Sequence, residues 1–126
     1  MNVLRDRARL FHKYYDAVCV SEYIHEHCSA DVAEVIRQAD LLLNNTFIFI
    51  ARWDMEPCNV PYTIPLEDWA TSPNGDPEWV FMLNRHDFLH KLWQAYLLTG
   101  NRAYAEKIRF FLLDCLGKLE NLFHRT

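Results

Sequence analysis

Apolar residues recur every three or four positions along most of the chain, a spacing that predicts α-helices with one buried side. Four helices are predicted, over about residues 4–27, 29–43, 76–99 and 101–122. Serine, aspartate or asparagine can cap three of these starts, and Gly100 ends the third helix. The pattern therefore predicts an all-α fold.

The link between the third and fourth predicted helices is very short, since only Thr99, Gly100 and Asn101 separate them. Two helices joined by so short a link form an antiparallel hairpin. Helical hairpins are the units that stack into solenoids and toroids. We therefore expect an arrangement of antiparallel helical hairpins.

The helical spacing stops between the second and third helices. Residues 46–50 are β-branched or aromatic, which predicts a short strand or a buried extended link. Residues 51–77 contain all five prolines, the Asn74-Gly75 turn signal and acidic clusters that include tryptophan. Loops of this length are uncommon in compact domains and are often functional. We expect one long ordered loop that wraps over a surface, and at most a short strand.

Length and composition favour one globular domain over residues 1–126, because 51% of the residues are hydrophobic. The formal net charge is −4, so the basic surface of a nucleic-acid-binding protein is not predicted. No apolar run is long enough to span a membrane, and the N-terminus lacks the apolar core of a signal peptide. We therefore expect neither a nucleic-acid nor a membrane partner.

The cysteines and histidines predict no metal site. Cys19 and Cys115 stand among apolar residues, which favours buried free thiols, although a Cys19–Cys28 disulfide stays open. His25 and His27 are two positions apart and do not share a helix face, so we expect them at a solvated helix end. Neither a metal nor a cofactor is predicted.

Arg85 is the anomaly of the third predicted helix. At about 100° per residue, it falls in the middle of a broad apolar face. That face comprises Phe81, Met82, Phe88, Leu89, Leu92, Trp93, Ala95 and Tyr96. An unpaired buried guanidinium is costly, so Arg85 needs an acidic partner or a wet pocket. The candidate partners in the loop are Asp54, Glu56, Asp68 and Asp76. Two functions stay open for Arg85: a pair that fixes the loop to the helix, and the floor of an anion-binding cleft with Asn84 and His86 at its edges.

Aromatic residues of the loop and the following helix also have two interpretations. Trp53, Tyr62, Trp69 and Trp79 could stack on the apolar faces of sugar rings. They could equally cover the helical layer as part of the core, because tryptophan is mostly buried on average.

Four ordered segments carry a resemblance to a known family. They are Arg52–Glu56, Asn74–Trp79, Leu83–His86 and Ala95–Gly100, and the similarity spans roughly residues 30–110. Their order and spacing resemble the N-terminal region of the heparinase II/III family of polysaccharide lyases. The resemblance implies an incomplete α/α toroid followed by a β-sandwich. It also implies a periplasmic or secreted parent enzyme that cleaves uronate-containing glycans such as heparin, heparan sulfate or alginate.

The reaction that the resemblance implies is β-elimination. A base removes the proton from C5 of the uronate and an acid protonates the leaving oxygen at C4. Hydrogen-bond donors neutralise the carboxylate and stabilise the carbanion-like state. In the family an asparagine, a tyrosine and a histidine share these tasks, but we assign no catalytic role to a residue of this chain.

The four predicted helices are too few for a toroid, so we expect residues 1–126 to be a fragment of one that is inactive alone. Its expected partners are an acidic polysaccharide and the rest of the parent lyase. An exposed apolar face should dock the missing hairpins, and a homo-oligomer can form through it. Six residues are predicted to contact substrate: Asn84, Arg85, His86, Trp53, Asp54 and Trp79. Arg85 would bind a uronate carboxylate or a sulfate.

Two other classes of function are compatible with parts of the sequence. The Ala-Tyr-x-x-Thr-Gly-x-x-x-Tyr-Ala pattern of residues 95–105 resembles tetratricopeptide-like repeats, which are interaction modules without catalysis. The long tryptophan-rich loop opposes that interpretation, because such repeats have short loops. A toroidal glycoside hydrolase would need two facing acids, for which only Asp54 and Asp76 could be tried.

Overall fold

The computed structural model describes residues 2–14, 16–50, 58–66 and 68–123. These residues contain six helices and two strands. In chain order they are α1 Asn2–Tyr14, α2 Ala17–His27, α3 Ser29–Leu43, β1 Thr46–Phe49, β2 Cys58–Thr63, α4 Pro77–Arg85, α5 Leu89–Thr99 and α6 Arg102–Phe123. The predominantly helical character is as predicted, and a small antiparallel sheet is added to it.

The first predicted helix is wrong in one respect, because two helices replace it. Asp16 has an extended backbone, and its carboxylate accepts a hydrogen bond of 2.9 Å from the backbone N–H of Cys19. An aspartate that caps in this way starts a new helix, which here is α2. The ring Nε2 of His25 then lies 2.7 Å from the carbonyl oxygen of Leu98, so α2 is joined to α5.

Helix α3 lies centrally, in contact with α2, α5, α6 and β1. It ends at Leu43 as predicted, but its N-cap is Cys28, so the prediction that Ser29 or Asp31 caps this helix is wrong. The hydroxyl of Tyr104 on α6 donates a 2.6 Å hydrogen bond to Asp40 on α3. Burial, together with this hydrogen bond to Asp40, raises the pKa of Tyr104 to about 12. The Tyr104 hydroxyl therefore stays protonated at physiological pH. Its hydrogen bond joins two helices that are distant in sequence.

The two strands form an antiparallel pair with an irregular register between Phe47 and Phe49. Both phenylalanines are buried while their neighbours are half-buried, as expected for a strand with one face on the core. Strand β2 lies within the segment that was predicted to be loop, so that part of the prediction is wrong. Pro61 has no N–H to donate to a ladder, and the two-stranded sheet accommodates it because both strands are edges.

The core is aromatic and lies where the sheet meets α4, α5 and α6. Its largest fully buried side chains are Trp79, Phe47, Phe111, Leu83 and Leu92. The Phe47 ring packs edge-on against Trp79 and Phe88, at centroid distances of 6.2 and 5.0 Å. Edge-to-face aromatic pairs add to the stabilisation from burial alone, so this cluster fixes α4 against the sheet.

The third predicted helix is broken, which contradicts the prediction of one helix over residues 76–99. Helix α4 ends at Arg85 and α5 begins at Leu89, because His86 adopts a left-handed backbone with φ 61° and ψ 20°. The break changes which residues face the core. Phe81 is 68% exposed and Trp93 is 45% exposed, so the single broad apolar face is also wrong.

The predicted start of α4, end of α5 and start of α6 are confirmed. Asp76 accepts a 2.9 Å hydrogen bond from the N–H of Glu78 at the start of α4. Gly100 has φ 69° and ends α5. Asn101 accepts a 3.0 Å hydrogen bond from the N–H of Ala103 at the start of α6.

The four cysteines are free thiols, so the Cys19–Cys28 disulfide does not form. Cys115 is buried as predicted, and burial raises the pKa of its thiol. Cys19 is exposed, which contradicts the prediction that it is buried. Among the described helices, none combines the length and apolar character needed to cross a membrane.

Candidate functional site

The segment between β2 and α4, which we call the strap (residues 64–66 and 68–76), is fastened to α6. The indole N–H of Trp69 donates a 2.7 Å hydrogen bond to Oδ2 of Asp114. Lys118 donates to the same oxygen at 2.7 Å and also to the carbonyl oxygen of Leu66. Trp69, Asp114 and Lys118 are called the latch below, because their hydrogen bonds join the strap to α6.

The latch lowers the pKa of Asp114. Burial by itself raises this pKa, but the hydrogen bonds from Lys118 and Trp69 outweigh burial. The pKa of Asp114 therefore lies below its ordinary value of 3.8. A group whose pKa is lower in the folded state than in the unfolded state stabilises the fold at pH values above its unfolded pKa. The stabilisation is lost as the pH falls through the folded value.

We therefore predict that the latch weakens only in acid. The free energy of unfolding of the wild type should exceed that of Asp114→Asn at about pH 7, and this difference should shrink by about pH 2. Urea unfolding of both proteins at the two pH values measures it. A difference that is the same at both pH values would show that the charge of Asp114 does not stabilise the fold.

Two short turns shape the strap from within. One oxygen of Asp68 accepts hydrogen bonds from the backbone N–H groups of Ala70 and Thr71, at 2.9 and 3.0 Å. The Thr71 side chain is the largest cause that lowers the pKa of Asp68, and these two backbone hydrogen bonds lower it further. Asn74 accepts in the same way from Ser72 and from the N–H of Asp76. Asx turns of this type order a segment locally, so residues 68–76 are an ordered part of the segment 51–77 that was predicted to be a loop.

Asn84 joins the strap to α4. Its amide nitrogen donates to the carbonyl oxygens of Trp69 at 2.9 Å and Val80 at 2.8 Å. Both amide hydrogens are therefore used inside the protein. The structure assigns Asn84 to positioning the strap, which leaves only its amide oxygen as a group that could meet a ligand.

His86 occupies the break between α4 and α5. Its ring lies edge-on to Trp69 and Phe88, with centroids 5.6 and 6.0 Å away. Its Nε2 is buried and has no hydrogen-bond partner among the described residues. A left-handed non-glycine residue and an unsatisfied buried nitrogen each cost free energy, and such features concentrate at functional sites.

Arg85 is exposed, which contradicts its predicted place in the middle of an apolar face. The helix break explains the difference, because the residues after Arg85 no longer continue the same helical face. Its Nη1 lies 3.9 Å from the sulfur of Met82. Two of its predicted partners accept backbone hydrogen bonds through one carboxylate oxygen each, Asp68 within a turn and Asp76 at the start of α4. The other two, Asp54 and Glu56, lie outside the described residues.

The predicted sugar-stacking residues are placed differently from one another. Trp79 is 0% exposed in the core and therefore presents no surface to a ligand. Tyr62 and Trp69 are half-buried, with Tyr62 edge-on to Trp79 at a centroid distance of 6.1 Å. Trp53, like Asp54, lies outside the described residues.

A cavity of about 130 Å³ lies between α3, β1 and the first turn of α5. Its polar lining is Gln38, Thr46, Asp87 and Lys91, and its apolar lining includes Met82 and Phe88. Met82 also contacts Arg85, so the cavity adjoins the candidate site. Sequence reasoning missed this cavity, because its lining residues come from four separate elements, α3, β1, α4 and α5.

No protein-family model, curated protein or solved structure matches this chain. The chemistry of the site therefore rests on its own groups: a surface guanidinium, a strained histidine and a small cavity with four polar side chains in a mostly apolar lining. Within the described ranges, no three His, Cys, Asp or Glu side chains gather closely enough to hold a metal ion.

Proposed function

We propose that this chain is the N-terminal portion of a polysaccharide lyase that cleaves uronate-containing glycans, of the heparin, heparan sulfate or alginate kind, by β-elimination. It contributes residues that bind substrate, and the rest of the parent lyase supplies catalysis. The observation that carries the proposal is the exposed Arg85 beside the strained His86, next to a mostly apolar cavity that also carries four polar side chains.

The positions of the family-like segments support this proposal. Asn74–Trp79 forms the last turn of the strap and the start of α4. Leu83–His86 forms the end of α4 and the break, and Ala95–Gly100 forms the end of α5. The fourth segment, Arg52–Glu56, lies outside the described residues. The described segments thus build both ends of α4 and the element that follows it.

The chemistry of Arg85 suits an acidic sugar. A guanidinium is always charged, and its fork of donors matches a carboxylate or sulfate. Binding the uronate carboxylate also favours β-elimination, since it stabilises the negative charge that develops when the C5 proton leaves. Asn84 and His86 act as positioning residues, because one fastens the strap and the other forms the break after Arg85.

The side of α6 that faces away from the core supports a larger assembly. Phe110, Leu113 and Leu116, which we call the outer face of α6, are 45, 54 and 58% exposed. A helix that is apolar on two sides normally packs between two layers. Nothing lies within 4 Å of a Cβ placed on Gly117, so the described fold does not require glycine at this costly helix-interior position. We propose that further helical hairpins of the parent lyase dock here.

Arg85→Ala tests the glycan proposal. We expect this variant to bind heparin or alginate about tenfold more weakly than the wild type, the cost of one lost charge-assisted contact. Affinity chromatography and calorimetry at fixed salt measure this. Product absorbance in the ultraviolet should be absent, because the chain lacks the catalytic portion.

Arg102→Ala is the matched control for that experiment. Arg102 is an exposed arginine at the start of α6, beyond the end of α5, and the length of α5 separates it from the break by about 16 Å. Its removal should leave glycan binding unchanged. Equal losses in both variants would indicate non-specific attraction, and unchanged binding in Arg85→Ala with an intact circular dichroism spectrum would refute the proposed site.

The second candidate function is a helical-repeat interaction module without catalysis. It is favoured by the packing of α5 against α6 across a link of only Gly100 and Asn101. This function requires that the outer face of α6 binds a protein partner while heparin and alginate do not bind. The Arg85 experiment therefore separates the two candidates.

A further inference from the structure

We propose that the cavity between α3, β1 and α5 is a subsite for one pyranose ring that carries a carboxylate, with Lys91 as the residue that binds this carboxylate. The identity of the sugar as a uronate rests on the function proposed above. The subsite itself rests on the charges, polar groups and size of the cavity.

Lys91 is positioned to bind an anion. It lines the cavity from the first turn of α5, and in the described part of the chain it forms no ion pair. Glu34 is near enough for Lys91 to contribute to its low pKa of about 2, but the main causes are hydrogen bonds from Arg37 and Gln38. The carboxylate of Glu34 is thus already bound, at 2.7 to 2.9 Å, by those two residues.

The remaining polar groups suit sugar hydroxyls. Asp87 lines the same cavity four residues before Lys91 without pairing with it, so its carboxylate can accept hydrogen bonds from hydroxyls. Gln38 is only 8% exposed and donates its amide nitrogen to Glu34 at 2.7 Å. Gln38 lines the cavity, and no hydrogen bond to its amide oxygen is formed by the described side chains. A uronate presents one carboxylate and several hydroxyl donors, which matches one cation and two acceptors.

The apolar lining and the volume favour a single ring. Leu42, Phe49, Met82 and Phe88 are each at most 8% exposed and offer the carbon–hydrogen face of a pyranose a surface to pack on. A volume of about 130 Å³ is roughly ten times the 10–15 Å³ that a cavity needs, on the same measure, to hold one water molecule. It is also well below the roughly 300 Å³ at which pockets for drug-sized ligands begin. One sugar ring is therefore the expected occupant.

Titration with sodium glucuronate, followed by amide chemical shifts, tests the subsite. We expect shifts at Thr46, Asp87, Phe88 and Lys91 that saturate with added glucuronate. Glucose, which lacks the carboxylate, should bind about tenfold more weakly, and Lys91→Met should weaken glucuronate binding by a similar factor. Lys107→Met is the matched control. It removes a half-buried ammonium that lies over the Phe110 and Phe111 rings of α6, and glucuronate binding should not change.

Each outcome separates the subsite from the function on which it rests. Shifts confined to other parts of the chain, or equal affinities of the wild type and Lys91→Met, would overturn the subsite. If heparin binding depends on Arg85 while glucuronate leaves the cavity unperturbed, the proposed function stands and the subsite fails. If glucuronate fills the cavity in a Lys91-dependent manner while neither polymer binds, the subsite stands and the polymer-cleaving function fails.

Discussion

Replacing Trp79 with alanine should destabilise the protein by about 4 kcal/mol. Its side chain is 0% exposed and packs edge-on against Phe47 and Phe49, at centroid distances of 6.2 and 5.1 Å. Removing the indole leaves a large void that the sheet and α4 cannot close without moving the other rings. The midpoint of urea unfolding, with an unchanged slope, measures the loss.

Trp79→Phe is the control for this prediction. The indole N–H is buried and has no acceptor among the described residues, so phenylalanine removes an unsatisfied donor while it keeps a ring in the core. We expect a loss of only about 1 kcal/mol. If Trp79→Ala instead kept wild-type stability and lost glycan binding, Trp79 would be a sugar-stacking residue and its place in the core would be wrong.

Removing the carboxylate of the latch with Asp114→Ala should cost about 2 kcal/mol of folding stability. The substitution deprives both the Trp69 indole and the Lys118 ammonium of their shared acceptor, each at 2.7 Å. Because Asp114 and Lys118 are only partly exposed, at 24 and 33%, solvent replaces these bonds incompletely. Trp69 fluorescence and urea unfolding should report the released strap and the lost stability.

Glu106→Ala provides a comparison on the same helix. Glu106 is an exposed acid on α6 outside the latch, and its removal should change stability by less than about 0.5 kcal/mol. Equal effects of the two substitutions would mean that the latch does not stabilise the fold. A loss of glycan affinity in Asp114→Ala without loss in Glu106→Ala would extend the role of the strap to ligand binding.

Local capping signals explain which boundaries the sequence predicted correctly. Asp76 and Asn101 accept backbone hydrogen bonds at helix starts, and Gly100 supplies the left-handed residue at a helix end. Each of these effects depends on a few adjacent residues. Asp16 has the same chemistry but stands inside an uninterrupted apolar spacing, so the spacing concealed its cap.

The break at His86 was not predicted, because the left-handed cap that ends α4 falls on a histidine inside a continuous apolar spacing and not on a glycine or asparagine. The surrounding structure provides the cause: the break leaves Phe88 8% exposed and places its ring 5.2 Å from that of Phe111 on α6. Tertiary packing thus overrides local preference. The exposure of Arg85 was mispredicted for the same reason, since its predicted direction assumed that the helix continued.

Most of the candidate site depends on contacts between distant residues. Trp69 and Asp114 are 45 positions apart, and the cavity combines residues of α3, β1 and α5. Sequence reasoning identified the long segment and its tryptophans as significant from composition alone. It could not predict that Trp69 contacts α6 or that Lys91 lines a cavity, because neither contact leaves a periodic signal in the sequence.

The two Asx turns of the strap have a thermodynamic consequence. Asp68 and Asn74 restrict the backbone of residues 68–76 with bonds that do not involve α4 or α6. Part of the conformational entropy lost on folding is therefore lost within the segment itself, before it reaches its docking partners. The strap can therefore pack against α4 and α6 as a preorganised unit. More of the free energy of its contacts with these helices then remains as net stability.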